Sequence, residues 1–134
     1  MKLKQIAFAL FFLFVPLMSA QNKVSLTNLE KTKEYLSLSE KQYELVKQNV
    51  KKINAILEED KKIIAELKKR VENDDEPGFF EKISVKRGRD GRASDIEDLL
   101  EEIEDKLTDE QKVKFEKIEK PELKGLSKEE IFGK

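Results

Sequence analysis

Between Glu40 and Glu72 the apolar residues Tyr43, Val46, Val50, Ile53, Leu57, Ile64, Leu67 and Val71 recur at alternating steps of three and four, and Asp60 stands at the one expected apolar position left unfilled. Such steps keep side chains on one side of a helix with 3.6 residues per turn, so the run predicts a single continuous α-helix. About 33 residues at 1.5 Å each make it roughly 50 Å long. Ile56 and Ile63 widen the stripe. A helix of this length has no use for its full stripe inside a compact monomer of this size. It must lie against the second half of the chain or against a second copy.

The second half carries a shorter version of the pattern. Ile96, Leu100, Ile103 and Leu107 step by four, three and four, with Leu99 beside them, and predict a helix over about residues 95–106. Val113, Phe115 and Ile118 predict a further short helix over about 109–119, which Pro121 ends. Residues 73–93 between these regions are polar and contain Pro77-Gly78 and Asp90-Gly91, both turn signals; they read as a connection. The Ile83-Ser84-Val85 alternation is too short for a strand, and a connection this long is either mobile or functional. The residues after the last helix read as a flexible tail.

Composition limits what can stabilise these helices. At the N-terminus Lys2 and Lys4 precede an unbroken apolar run from Ile6 to Val15, then Pro16 and Met18-Ser19-Ala20, the order of a secretory signal peptide cleaved after about Ala20. The run is half the roughly 20 residues a membrane-spanning helix needs, so no stable membrane anchor is expected after cleavage. Removing residues 1–20 takes away two lysines and no acids, leaving 25 basic against 28 acidic side chains and a net charge of −3. Nearly half of residues 21–134 are then charged, which suits thin helical layers and not a large globular core. Export points to an oxidising compartment, yet the chain has no cysteine, so helix pairing must supply the stability that disulfides would otherwise add. The near balance of charge argues against nucleic-acid binding, which needs a clear basic excess. Locally the charges are segregated: five bases and one acid, Asp90, lie between Lys82 and Arg92, and nine acids and one base, Lys106, between Asp95 and Glu110.

Two helix starts share one design. Leu38-Ser39-Glu40-Lys41-Gln42 and Leu107-Thr108-Asp109-Glu110-Gln111 each place a hydroxyl at the N-cap and a glutamine three residues on, the arrangement of a reciprocal capping box. Leu38 is placed to pack on Tyr43 as a hydrophobic staple. Similar boxes occur at Thr27 to Glu30, Ser94 to Glu97 and Ser127 to Glu130.

With these paired glutamine boxes in an exported, cysteine-free chain, the sequence resembles the Spy/CpxP family of periplasmic proteins, whose hallmark is a repeated Leu-Thr-x-x-Gln motif. Leu107, Thr108 and Gln111 match it fully; Leu38, Ser39 and Gln42 match with serine in place of threonine, which keeps the capping chemistry. The resemblance covers about residues 36–120. It implies an all-α fold, an elongated helical hairpin with short flanking helices pairing into an antiparallel homodimer, and a periplasmic, ATP-independent chaperone that binds unfolded or aggregation-prone envelope proteins. A regulatory partner of an envelope-stress sensor protein and a structural coiled-coil spacer are the alternatives.

No family motif covers a binding surface. From chemistry, the candidates are Phe79, Phe80, Ile83 and Val85, with Lys82, Lys86, Arg87, Arg89 and Arg92 around them: apolar contact for unfolded segments and cations for acidic ones. The opposing reading folds the two phenylalanines back onto the helical core. Catalysis lacks its usual parts, since the chain has neither histidine nor cysteine, and no cofactor is expected. The row Asp98, Glu101, Glu102 and Asp105 could attract calcium, but helical carboxylates usually face water. Gly88-Arg89-Asp90-Gly91 lacks the Gly-Lys-Ser/Thr ending of a phosphate loop.

Overall fold

The structure, a computed structural model, describes residues 23–132, so the signal-peptide segment lies outside the described residues. Among those residues the elements are α1 (Leu29–Leu36), α2 (Glu40–Glu72), α3 (Phe79–Asp105), α4 (Asp109–Lys117) and α5 (Lys128–Phe132), with no strand beyond an isolated bridge between Ser25 and Glu119. The fold is all-α: α2 and α3 form a long hairpin, α1 and α4 close one end of it, and α5 lies on α2. No helix among the described residues is long and apolar enough to cross a membrane.

The stripe of α2 finds its partner within the chain. Val46, Val50, Ile53, Ile64 and Leu67 are buried, and Tyr43, Leu57 and Val71 half-buried, with α3 as the main facing helix. Two apolar clusters result. The first joins Leu26, Leu36, Leu38, Val46, Val50, Ile103, Leu107, Phe115 and Ile118, with Tyr43 packed against it. The second joins Ile64 and Leu67 to Ile131 and Phe132, with Ile63, Val85 and Leu126 at its margin. Asn49 is buried on the same helix face, and its Nδ2 donates to the Leu99 carbonyl at 3.0 Å.

The two glutamine boxes form as expected and also meet each other. Ser39 Oγ accepts from the Gln42 amide at 3.2 Å while Gln42 Oε1 accepts from the Ser39 amide at 2.9 Å; Thr108 and Gln111 repeat both bonds at 3.2 and 2.9 Å. Gln42 Nε2 then donates to Gln111 Oε1 at 2.9 Å, and Gln111 Nε2 returns a bond to Gln42 Oε1 at 3.1 Å. Each Nε2 also reaches the carbonyl two residues before the other cap, Lys106 for Gln42 at 2.8 Å and Ser37 for Gln111 at 3.2 Å. The starts of α2 and α4 are thereby locked in a local two-fold arrangement. A parallel tie at this end pairs Leu26 N–H with the Glu119 carbonyl and Glu119 N–H with the Val24 carbonyl, each at 2.9 Å.

Three expectations are corrected. The connection 73–93 is only 73–78, because α3 begins at Phe79 and runs through Gly88 and Gly91. The turn itself is made by Asp74 in the left-handed region at φ 60°. It lets Asp75 N–H reach the Arg70 carbonyl at 2.8 Å and Asp74 N–H reach that of Val71 at 3.1 Å, so these two carbonyls near the end of α2 are satisfied without a glycine. The tail ends in a packed helix whose Ile131 and Phe132 are buried. Of the further boxes, Ser127 and Glu130 form one, at 3.1 and 3.5 Å. Asn28 and not Thr27 caps α1, and Ser94 lies inside α3.

A Cβ at Gly91 would meet nothing within 4 Å, so Gly91→Ala should raise stability by about 0.5–1 kcal/mol through unfolded-chain entropy, read from the urea midpoint. In a double-mutant cycle, Gln42→Ala and Gln111→Ala should couple by about 1 kcal/mol; additivity within about 0.3 kcal/mol would show that the two boxes act separately.

Candidate functional site

The helical period divides the first four turns of α3 into two rows. Outward lie Phe79, Phe80 and Ile83, followed by Lys86 and Arg87, all exposed; Phe79 and Phe80 are 72% and 84% accessible. The two rings meet edge to face at 5.5 Å and leave most of their surface in solvent, so the pair does not fold back onto the core. Lys86 and Arg87 carry no ion pair among the described residues. Inward lie Lys82, Val85, Arg89 and Arg92, continuing back from Ile96 the same three-four spacing that marks the second half of the helix.

The inward row is occupied by the fold itself, which removes four residues from the proposed surface. Val85 packs on the second cluster. Lys82 pairs with Glu76 at 2.9 Å and holds its ammonium 5.2 Å from the Phe132 ring centre. Arg89 forks onto Asp60, Nε to Oδ1 at 3.1 Å and Nη2 to Oδ2 at 3.0 Å, while Arg92 holds Oδ1 through Nε at 3.1 Å and Nη2 at 3.0 Å. The side chains of Asp60, Arg89 and Arg92 are 10%, 11% and 14% exposed. Gly88 lies under this arrangement: a Cβ there would stand 3.3 Å from Arg92 Nη1, so glycine leaves room for the guanidinium to lie back along its own helix. Asp60, which broke the apolar stripe, is thus the counter-charge for two arginines expected to face clients. Sequence reasoning missed the pairing, although two polar breaks in facing stripes, Asp60 on α2 and Arg89 with Arg92 on α3, were there to be matched.

Burial raises the Asp60 carboxyl, and the hydrogen bonds and charges of Arg89 and Arg92 outweigh it, so the group sits below the ordinary carboxylate range. At the hairpin turn Arg70 binds both Asp75, at 2.9 Å, and Glu81. The Arg70 bond holds the Glu81 carboxyl below its usual range. The row Asp98, Glu101, Glu102 and Asp105 is exposed along α3, and among the described residues no group of three or more acidic side chains is placed to hold a metal ion. Two shallow hollows, lined by Glu40, Lys41, Glu44, Leu45 and Gln48 and by Glu66, Lys69, Arg70, Asn73 and Asp75, offer open surface and no enclosed chamber.

Because the Asp60 carboxyl titrates below its unfolded value, its stabilisation is fully present above about pH 4 and is lost as pH falls through the folded value. Asp60→Asn should therefore cost about 2–4 kcal/mol at pH 7, with the gap to wild type shrinking in acid. Urea titrations at pH 7 and pH 3 test this; a gap independent of pH would show that the carboxylate charge is not the stabilising feature.

Family models, curated proteins and solved structures contain no match to this chain.

Proposed function

We propose that this chain is an exported, non-catalytic binding protein of the Spy/CpxP type, which holds unfolded or aggregation-prone envelope segments without ATP. The observation that carries this reading is the outward row of α3: Phe79 and Phe80 stand largely in water beside Ile83, with Lys86 and Arg87 one turn on. Large aromatic side chains exposed together mark contact surfaces, and the two cations add attraction for acidic segments. The family assignment draws support from the way both motif copies start helices and bond to each other. The lack of histidine and cysteine supports the absence of catalysis. An antiparallel homodimer and a periplasmic location belong to the same reading.

The test uses residues 21–134 with a protein that aggregates on unfolding, followed by light scattering without ATP. Suppression is expected at equal molar ratio. Phe79→Ser with Phe80→Ser should raise the concentration needed for half-suppression by about tenfold while helicity stays unchanged, since neither ring supports the core. No suppression by the wild type at any ratio would remove the chaperone reading. Capture of a single saturable partner with no action on generic clients would instead favour the sensor-partner alternative.

A further inference from the structure

The C-terminal segment is bound to the hairpin in the way a ligand would be. Residues 121–127 have no regular structure, and α5 has five residues, far below the length at which a helix holds itself together in water. Docking is what forms it: Ile131 and Phe132 are buried against Ile64 and Leu67, with Leu126, Ile63 and Val85 at the margin. The polar ties are few. Arg89 Nη2 donates to the Lys124 carbonyl at 2.7 Å, and the Lys82 ammonium lies 5.2 Å from the Phe132 ring. Glu129 and Glu130, just before the apolar pair, are exposed. A few buried side chains must offset the ordering of about a dozen residues, so this segment belongs to the low-stability end of the molecule.

The seat of α5 adjoins the exposed row. Lys82 and Val85, which line it, lie within the same two turns of α3 as Phe79, Phe80 and Ile83. We propose that α5 is an internal occupant of a client groove formed by Ile63, Ile64, Leu67 and Val85, and that clients displace it. The fitting client segment has the chemistry of α5 itself, acidic residues followed by adjacent branched-aliphatic and aromatic side chains. The inference rests on the client-binding reading above and deepens it: the outward phenylalanines make first contact, and release of α5 enlarges the apolar surface. The apparent affinity of the groove is its intrinsic affinity multiplied by the fraction of molecules in which α5 is released.

The probe is a fluorescently labelled peptide of residues 121–132, titrated by anisotropy into two full-length proteins, wild type and Ile131→Ser with Phe132→Ser. Saturable binding to the variant, at least about tenfold tighter than to wild type, is expected. Equal affinity for both proteins, or no binding to the variant, overturns the proposal. Since the variant could lose more than α5, hydrogen exchange on the wild type gives a second reading. Amides of residues 128–132 should exchange by local opening, well ahead of those in residues 46–53; exchange of both only through global unfolding overturns the proposal. Aggregation suppression without peptide binding sinks the displaceable segment and leaves the chaperone reading standing. Peptide binding without aggregation suppression does the reverse.

Discussion

Gln42 and Gln111 are each asked to do two things with one amide. The Oε1 atom closes the capping box at its own helix start and accepts from the opposite glutamine, and the Nε2 atom crosses to the partner's oxygen and to a backbone carbonyl beyond it. Because these cross-bonds run both ways, the starts of α2 and α4 cannot slide relative to each other without breaking the bonds that join the two boxes. Gln111 is buried, where such a chain of bonds is stronger than in water and costly to leave half made. Everything else in the hairpin is placed from this junction: α2 leaves it as a long helix, and α3 must return to it so that Leu107 can precede Thr108.

A second polar device sets how α3 lies along that helix. Asp60, Arg89 and Arg92 interrupt the apolar contact halfway down the hairpin, and a well-packed apolar group of the same volume would stabilise the pair as well. What the ion group adds is register. A shift of α3 by one turn would leave a buried carboxylate without its cations, a penalty that an all-apolar seam would not impose. The same group reaches the C-terminal segment through Arg89 and the Lys124 carbonyl, so one buried charge organises three separate stretches of chain.

The two ends of the hairpin differ in kind. Around the glutamine junction the first cluster is deep, contains Leu26, Leu36, Ile103 and Phe115 at 1% exposure or less, and is tied by the bridge between the N-terminal segment and Glu119. At the turn the second cluster is thin and depends on a five-residue helix, while Phe79 and Phe80 stand outside it. Under the binding function proposed above, the rigid end carries the fold and the loosely covered apolar end is the one that would meet partners. Stability and an exposed apolar surface would otherwise compete for the same residues.

The period of Tyr43 to Val71 and the hydroxyl–glutamine pairs at Ser39 and Thr108 determined α2 and the start of α4 from the chain alone, since local periodicity and local capping chemistry act within a few residues. What lay beyond that range was decided by tertiary contact. Residues 79–93 carry two glycines and a dense run of charge, a poor helix by local measure, and they become helical because Arg89 and Arg92 find Asp60 while Val85 finds the second cluster. Asp74 and Ser37 take the left-handed turn positions that glycine usually marks, so two helix ends had no local signature. The fate of the cations was likewise invisible in order of residues: Lys86 and Arg87 face water, and Arg89 and Arg92, two and five residues on from Arg87, are half-buried and paired with Asp60. A side chain's charge is a property of the sequence, but whether that charge faces a partner or a counter-ion depends on which helix lies across from it.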